Sequence, residues 1–130
     1  MGFMDKMKAA AKNADSKAGE EIDKGKLRSK ISDEKKAITD LYSTIGKAYY
    51  DGLKEGSVPE EDLKNYCNEI DEHTAKIAQY EQEILDVEEK GKAEREKNKA
   101  DAEQAAKERA EARAAAKAEE EAKKAEENSE

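Results

Sequence analysis

The sequence predicts an all-α protein whose main element is an antiparallel helical hairpin, a coiled coil, and three observations carry this prediction. Of its 130 residues, 45% are charged and 35% hydrophobic, with one Pro and no Trp, a composition typical of long helices and coiled coils. Two apolar stripes with heptad spacing run along residues 26–54 and 63–91. A turn signal separates them at residues 55–59. We therefore expect a hairpin preceded by an amphipathic N-terminal helix and followed by a long charged C-terminal helical extension.

The first segment, residues 1–18, has the pattern of a short amphipathic helix. Phe3 and Met7 fall on one helical face with Met4 beside them, and four Lys residues outnumber two Asp residues. A basic helix that carries bulky apolar side chains can lie on an anionic membrane. The alternatives are that these side chains dock on the protein's own helices, or that the segment is disordered. The residues expected to dock on a membrane or a partner are Phe3, Met4, Met7, Lys6, Lys8 and Lys12.

Two glycines, Gly19 and Gly25, bracket the second segment. Each destabilises a helix by about 1 kcal/mol relative to Ala. We therefore expect a flexible joint at residues 19–25, between the N-terminal helix and the hairpin.

The turn of the hairpin is the strongest local signal in the chain. Gly56 can adopt the left-handed conformation that ends a helix. Ser57 and Glu60 have the spacing of a capping box for the following helix, and Pro59 falls in its first turn, where a missing N–H costs nothing. A connection this short predicts that the two helices fold back antiparallel.

The apolar stripes of the hairpin, residues 26–91, form its expected helix–helix interface. Two polar residues interrupt them at different heights, Glu34 on the first stripe and His73 on the second. A polar residue in such a seam can fix its register; a ligand or pH-sensing role for His73 is the alternative. The expected interface residues are Leu27, Ile31, Ile38, Leu41, Ile45, Leu63, Tyr66, Ile70, Ile77, Tyr80, Ile84 and Val87.

Two helices alone bury such stripes only in part. A large apolar side chain contributes roughly 1.5–3 kcal/mol when it is fully buried, and ordering each residue costs around 1.5 kcal/mol. Tyr42 and Tyr49 also widen the first stripe beyond what one partner helix covers. We therefore expect a further partner: the N-terminal segment folding back, self-association into a bundle, or another protein or membrane.

The last segment, residues 92–130, contains almost only Ala and charged or polar residues. Ala and long charged residues favour helix formation, and pairs such as Glu103 and Lys107 have the favourable i, i+4 order. With no apolar stripe, the segment is expected to extend the second helix as a solvated rod that joins no packed core. A disordered charged tail is the alternative.

Charge and motif content argue against several functions. The net charge is −8, which disfavours binding to nucleic-acid phosphates. One His and one Cys, His73 and Cys67, give no nucleophile–base pair, no disulfide and no cysteine-based zinc site. P-loop, dinucleotide, HExxH and EF-hand patterns are also missing from the sequence. We expect no enzyme activity, no cofactor, no metal and no small-molecule substrate.

Residues 26–50 resemble the helical region of small bacterial zinc-ribbon proteins. Those proteins often begin with a Gly-Phe-Phe-Asp-Lys-like start, which residues 2–6 resemble, and carry an Ile-Gly-Lys-x-Tyr-Tyr-like segment before a hairpin, which is similar to residues 45–50. The resemblance covers about residues 2–87. The paired CxxC ribbon of that family is absent here, so no zinc ligand carries over, and the family implies no defined activity.

The layout, an amphipathic N-terminal helix before a long hairpin, is also loosely similar to that of phage-shock and vesicle-inducing membrane proteins. We expect a non-enzymatic helical scaffold or interaction protein of a bacterial cytoplasm, placed peripherally on the inner face of the membrane. Its expected partners are a second copy or another helical protein, and an anionic membrane surface. The alternatives are a polymerising membrane-remodelling protein and an adaptor that completes a partner's helical bundle.

Overall fold

A computed structural model describes residues 2–129, which form two α-helices. Helix α1 spans Phe3–Glu55 and helix α2 spans Glu60–Asn128. Contacts between the helices show their relative direction in the hairpin: Lys24 contacts Glu88 and Lys30 lies over the ring of Tyr80. As residue numbers increase along α1, the numbers of the residues contacted on α2 decrease, so the two helices run antiparallel. The predicted all-α fold, an antiparallel hairpin with a helical C-terminal extension, is confirmed.

Helix α1 ends in a Schellman motif at Gly56. This residue has φ of 81°, the left-handed conformation that the sequence predicts. The N–H of Ser57 donates to the carbonyl of Gly52 at 2.9 Å, which closes the last turn of the helix. A Cβ atom at Gly52 would lie 2.7 Å from the carbonyl oxygen of Ser57 and 2.8 Å from Cδ of Pro59. Glycine at position 52 thus lets the connection pass close over the helix end.

Helix α2 begins differently from the sequence prediction. The N–H of Glu60 donates to the carbonyl of Val58 at 2.9 Å and not to the hydroxyl of Ser57, so the expected capping box is wrong. The first helical bond runs from the N–H of Leu63 to the carbonyl of Pro59 at 3.0 Å. The cap residue is therefore Pro59, because the tight fold of the connection over Gly52 places the start of the helix two residues later.

Contacts divide the chain into two compact units, and each is described by itself. The hairpin unit is Gly19–Glu89, and the terminal unit joins the segment up to Ala18 with the segment from Lys90 onward. Helix α1 is continuous through residues 19–25, where the sequence predicts a joint. Within the hairpin unit, ion pairs stabilise this stretch and offset the helix-weakening effect of the glycines.

These ion pairs converge on Lys24. Its Nζ lies 3.1 Å from a carboxylate oxygen of Glu21, 3.4 Å from one of Glu20 and 3.4 Å from one of Glu88. The three carboxylates, Glu21 foremost, raise the pKa of Lys24 above its ordinary value, although partial desolvation acts in the opposite direction. The lysine therefore joins two turns of α1 to one another and to α2.

The seam of the hairpin unit contains the apolar stripes. Ile31 is buried, 8% exposed, and is the most enclosed large apolar side chain of the stripes. Among residues 2–129 no side chain is completely buried, as expected for two helices that cover one another only in part. The half-buried positions of the stripes are Leu27, Ile38, Leu41, Ile45, Leu63, Tyr66, Ile70, Ile77, Tyr80, Ile84 and Val87.

The polar interruptions of the two stripes face one another. Nδ1 of His73 contacts a carboxylate oxygen of Glu34, and both side chains are largely covered. The two residues lie at different heights along the seam, as predicted, and their side chains meet because both reach along it towards one another. The pairing gives each buried polar group a partner, which limits the cost of leaving it in an apolar interface.

Candidate docking site

The terminal unit has a seam of its own, built from small and polar residues. On α1 its inward positions are Asp5, Ala9, Asn13 and Ser16, at steps of three and four residues. Asp5 and Ala9 are buried. On α2 the covered positions are Gly91, Arg95, Asn98, Ala102, Ala105 and Ala106.

Two polar contacts join the helices of the terminal unit. Nη1 of Arg109 donates to Oδ1 of Asp5 at 2.5 Å, and Nδ2 of Asn98 donates to Oδ1 of Asn13 at 3.3 Å. The expectation that the charged extension joins no packed core is therefore wrong for its first part. Small Ala side chains and an ion pair replace the apolar stripe. From position 111 to position 129 every residue is exposed.

The apolar face of the N-terminal segment points away from this seam. Phe3 is 75% exposed, Met4 62% and Met7 54%. The segment thus packs on α2 with its polar and small side, and its bulky apolar side chains stay on the surface. Of the alternatives set out from the sequence, docking on the protein's own helices describes the segment but not these three side chains.

The charged side chains of the N-terminal segment are also divided between an exposed side and the side that contacts α2. Lys6, Lys8 and Lys12 are exposed, whereas Asp5 is turned inward and paired with Arg109. The remaining acidic residue of the segment, Asp15, lies beyond the last of these lysines. The outer side near the N-terminus therefore combines apolar side chains with positive charge. We call this the docking surface: Phe3, Met4, Met7, Lys6, Lys8 and Lys12.

A groove in the terminal unit extends the docking surface onto α2. It has a volume of about 610 Å³. Its lining includes Phe3 and Met4 together with five charged residues: Asp5, Glu103, Lys107, Arg109 and Arg113. Three of these charged residues are basic and two are acidic, so the groove has a small excess of positive charge.

Lys107 and Arg113 are not among the residues that the sequence predicts for the docking site. The available signal was the local excess of basic residues in an otherwise acidic half of the chain: residues 105–117 contain four basic and two acidic groups.

Other features of the described residues add no second site. Among residues 2–129, no group of three or more His, Cys, Asp or Glu side chains is arranged to hold a metal ion. Cys67 is exposed and forms no disulfide, and the imidazole of His73 contacts Glu34. Neither described helix contains a stretch that is long and apolar enough to cross a bilayer. Comparison of the chain with protein-family models, curated proteins and solved structures gives no match.

Proposed function

We propose that this protein is a non-enzymatic helical scaffold that docks reversibly on anionic membrane surfaces through the docking surface. The observation that carries the proposal is the exposure of Phe3, Met4 and Met7 beside exposed lysines, while Asp5 is buried and neutralised by Arg109. An isolated helix with this pattern could turn its apolar side towards any partner. Here the contact with α2 engages the other side, so the apolar side is available for lipid.

The expected strength of docking is modest. Burying one large apolar side chain contributes roughly 1.5–3 kcal/mol at most, and a lysine near an anionic surface contributes about 1 kcal/mol. Phe3 and the two methionines enter only the interfacial region, and part of this gain is offset by the immobilisation of the protein. Attachment of this order is reversible, comparable to that of a single short lipid anchor. The contribution of the lysines to this attachment decreases as the salt concentration rises.

Co-sedimentation with vesicles tests the proposal. The full chain is mixed with vesicles of phosphatidylglycerol and phosphatidylcholine, or of phosphatidylcholine alone, at low and high salt. We expect binding to the anionic vesicles at low salt, and at least a tenfold lower apparent affinity for the triple variant Phe3→Ser/Met4→Ser/Met7→Ser. The matched control is Ile22→Ser, which removes a side chain that is 60% exposed elsewhere on the surface.

The charge contribution is tested separately. Lys107→Gln/Arg113→Gln removes two charges from the groove, and Lys117→Gln/Lys123→Gln removes two charges from the exposed end of α2. We expect the first pair to weaken vesicle binding more than the second. Equal sedimentation of the native chain and the triple serine variant on anionic vesicles would remove the membrane role.

A further inference from the structure

A second apolar surface lies on α1 of the hairpin unit, near the turn. Tyr42, Tyr49, Tyr50 and Leu53 are each at least 49% exposed, and we call them the aromatic stripe. They surround Gly46, where a Cβ atom would meet nothing within 4 Å. The stripe therefore has a shallow notch at its centre. It extends from residue 42 to residue 53, which is 12 residues of helix and about 17 Å along the axis at 1.5 Å per step.

The seam of the hairpin unit does not cover this stripe. The seam residues of the same stretch, Leu41 and Ile45, are half-buried, whereas the four residues of the aromatic stripe stay exposed beside them. Tyrosine is enriched at protein interfaces because its ring is apolar and its hydroxyl group can remain hydrated. A contiguous group of exposed aromatic residues on one helix face indicates an interaction surface.

The outward face of α2 in the hairpin unit has a shape that is complementary to the aromatic stripe. Ala75, Ala78 and Leu85 are exposed on it, within one stretch of 11 residues, about 15 Å of helix. The alanines allow a second helix to approach closely. Leu85 projects from this face and has the size to enter a notch such as that at Gly46. The two surfaces therefore match in length and in shape.

Their charges are also complementary. Lysines flank the aromatic stripe at positions 35, 36, 47 and 54. On α2, residues 60–89 contain 11 acidic and two basic residues, a balance of −9, whereas residues 19–55 of α1 contain eight of each. Asp71, Glu81 and Glu89 are exposed beside the apolar positions of the outward α2 face. Pairing of the two surfaces places lysines against carboxylates, which steers and orients association.

We infer that the aromatic stripe of one copy of this chain packs on the outward α2 face of a second copy. The two surfaces lie on different helices of the hairpin unit, so a head-to-tail contact between copies joins two different patches and leaves one patch of each kind free. Such a heterologous contact adds further copies unless the assembly closes into a ring. The inference is independent of membrane docking, because none of the residues involved belongs to the docking surface.

Sedimentation velocity of the full chain tests the inference. We expect open-ended association that grows with protein concentration. Tyr42→Ser/Tyr49→Ser and Leu85→Ser should each weaken the apparent association constant at least tenfold. A charge variant, Lys47→Glu/Lys54→Glu, should have a similar effect and keeps the aromatic residues. The matched control is Ile22→Ser, which removes an equally exposed side chain of α1 outside the stripe and should leave association unchanged.

Mixing the variants makes the test specific for two different patches. Tyr42→Ser/Tyr49→Ser retains an intact α2 face, and Leu85→Ser retains an intact stripe, so an equimolar mixture should form dimers that neither variant forms alone. Circular dichroism at 222 nm verifies that each variant is folded. A native chain that stays monomeric up to high micromolar concentration would overturn the inference, and so would variants that associate as strongly as the native chain or a mixture without dimers.

Discussion

The hairpin unit and the terminal unit use the same spacing of inward positions with opposite chemistry. In the hairpin unit these positions carry Leu, Ile, Val and Tyr, whereas in the terminal unit they carry Ala, Asp, Asn, Ser and Arg. Regular spacing allows two helices to pair, but the free energy of pairing depends on what occupies the positions. The hairpin unit should therefore open only on global unfolding, and the terminal unit should open locally at lower free energy.

The difference in residue composition between the two seams also explains where the exposed apolar side chains lie. In the hairpin unit, apolar residues fill the seam and the excess remains as the aromatic stripe. In the terminal unit, the seam is taken by small and polar residues, so Phe3, Met4 and Met7 remain outside. A seam of low stability joined to an exposed apolar face suits a segment that docks reversibly, because the segment can adjust to a surface without unfolding the hairpin.

The largest expected effect is at Ile31. Its replacement in Ile31→Ala should lower the free energy of unfolding of the hairpin unit by about 3 kcal/mol, since it removes buried methyl groups and leaves a cavity. Urea denaturation followed by circular dichroism measures the change. Ile22→Ala, at an exposed position of the same helix, is the matched control and should change stability by less than about 0.5 kcal/mol. Similar losses for both variants would contradict the assignment of the seam.

The second largest effect on stability is expected at the turn between the helices. Gly52→Ala should destabilise the hairpin unit by about 2 kcal/mol, because the new methyl group meets backbone atoms of Ser57 and Val58 and Cδ of Pro59. Gly46→Ala is the matched control in the same helix: its methyl group meets nothing, and it should raise stability by up to about 1 kcal/mol. Thermal unfolding of the two variants should thus shift in opposite directions. A stabilised Gly52→Ala protein would contradict the described turn.

A double variant at the polar pair of the hairpin seam should increase the difference in stability between the two seams. Glu34→Leu/His73→Leu replaces the polar pair of the hairpin seam with apolar side chains and should raise its stability by about 2 kcal/mol, since covered polar pairs are often less stabilising than apolar packing. The single variant Glu34→Leu should lose stability, because it leaves the imidazole of His73 half-buried without its partner. Chemical denaturation measures both. A destabilised double variant would show that the pair contributes more than apolar contacts at that level.

The smallest expected effect is confined to the terminal unit. Arg109→Gln removes the partner of the buried Asp5 and should lower the free energy of local opening of residues 3–16 by about 1 kcal/mol. Hydrogen exchange should show about fivefold faster exchange there and unchanged exchange in the hairpin unit. Arg113→Gln removes the same charge one turn further along α2 and is the control. Equal acceleration in both units would mean that they do not differ in local stability.

Much of the hairpin could be read from local sequence patterns. The heptad spacing of Ile31, Ile38 and Ile45 predicts which side of α1 is covered, because apolar residues that recur every seven positions lie on one side of a helix. Gly56 was predicted because few other residues accept a positive φ. Gly52 was missed, since a glycine inside a helical pattern gives no sign of backbone passing within 3 Å of it. Ser57 was assigned the cap because spacing alone does not show where the chain enters a helix.

The candidate site was predicted only in part, for a related reason. Phe3, Met4 and Met7 stand out by size, and the nearby lysines by charge, so the docking surface could be proposed from sequence. Lys107 and Arg113 lie about 100 residues away, and only the pairing of α2 with the N-terminal segment places them at the same groove. Alanine and asparagine have no hydropathy signal that would predict this pairing.

Composition and periodicity by themselves determined that this chain forms two helices, where they turn and which stripes join them, since these properties depend on residues that are neighbours along a helix. Tertiary structure alone decided that the terminal segments pair, that Glu34 meets His73, and that the N-terminal segment turns its polar side inward. Those outcomes depend on which side chains of two distant segments come level with one another. That is set by the register of the folded helices and not by any pattern within one of them.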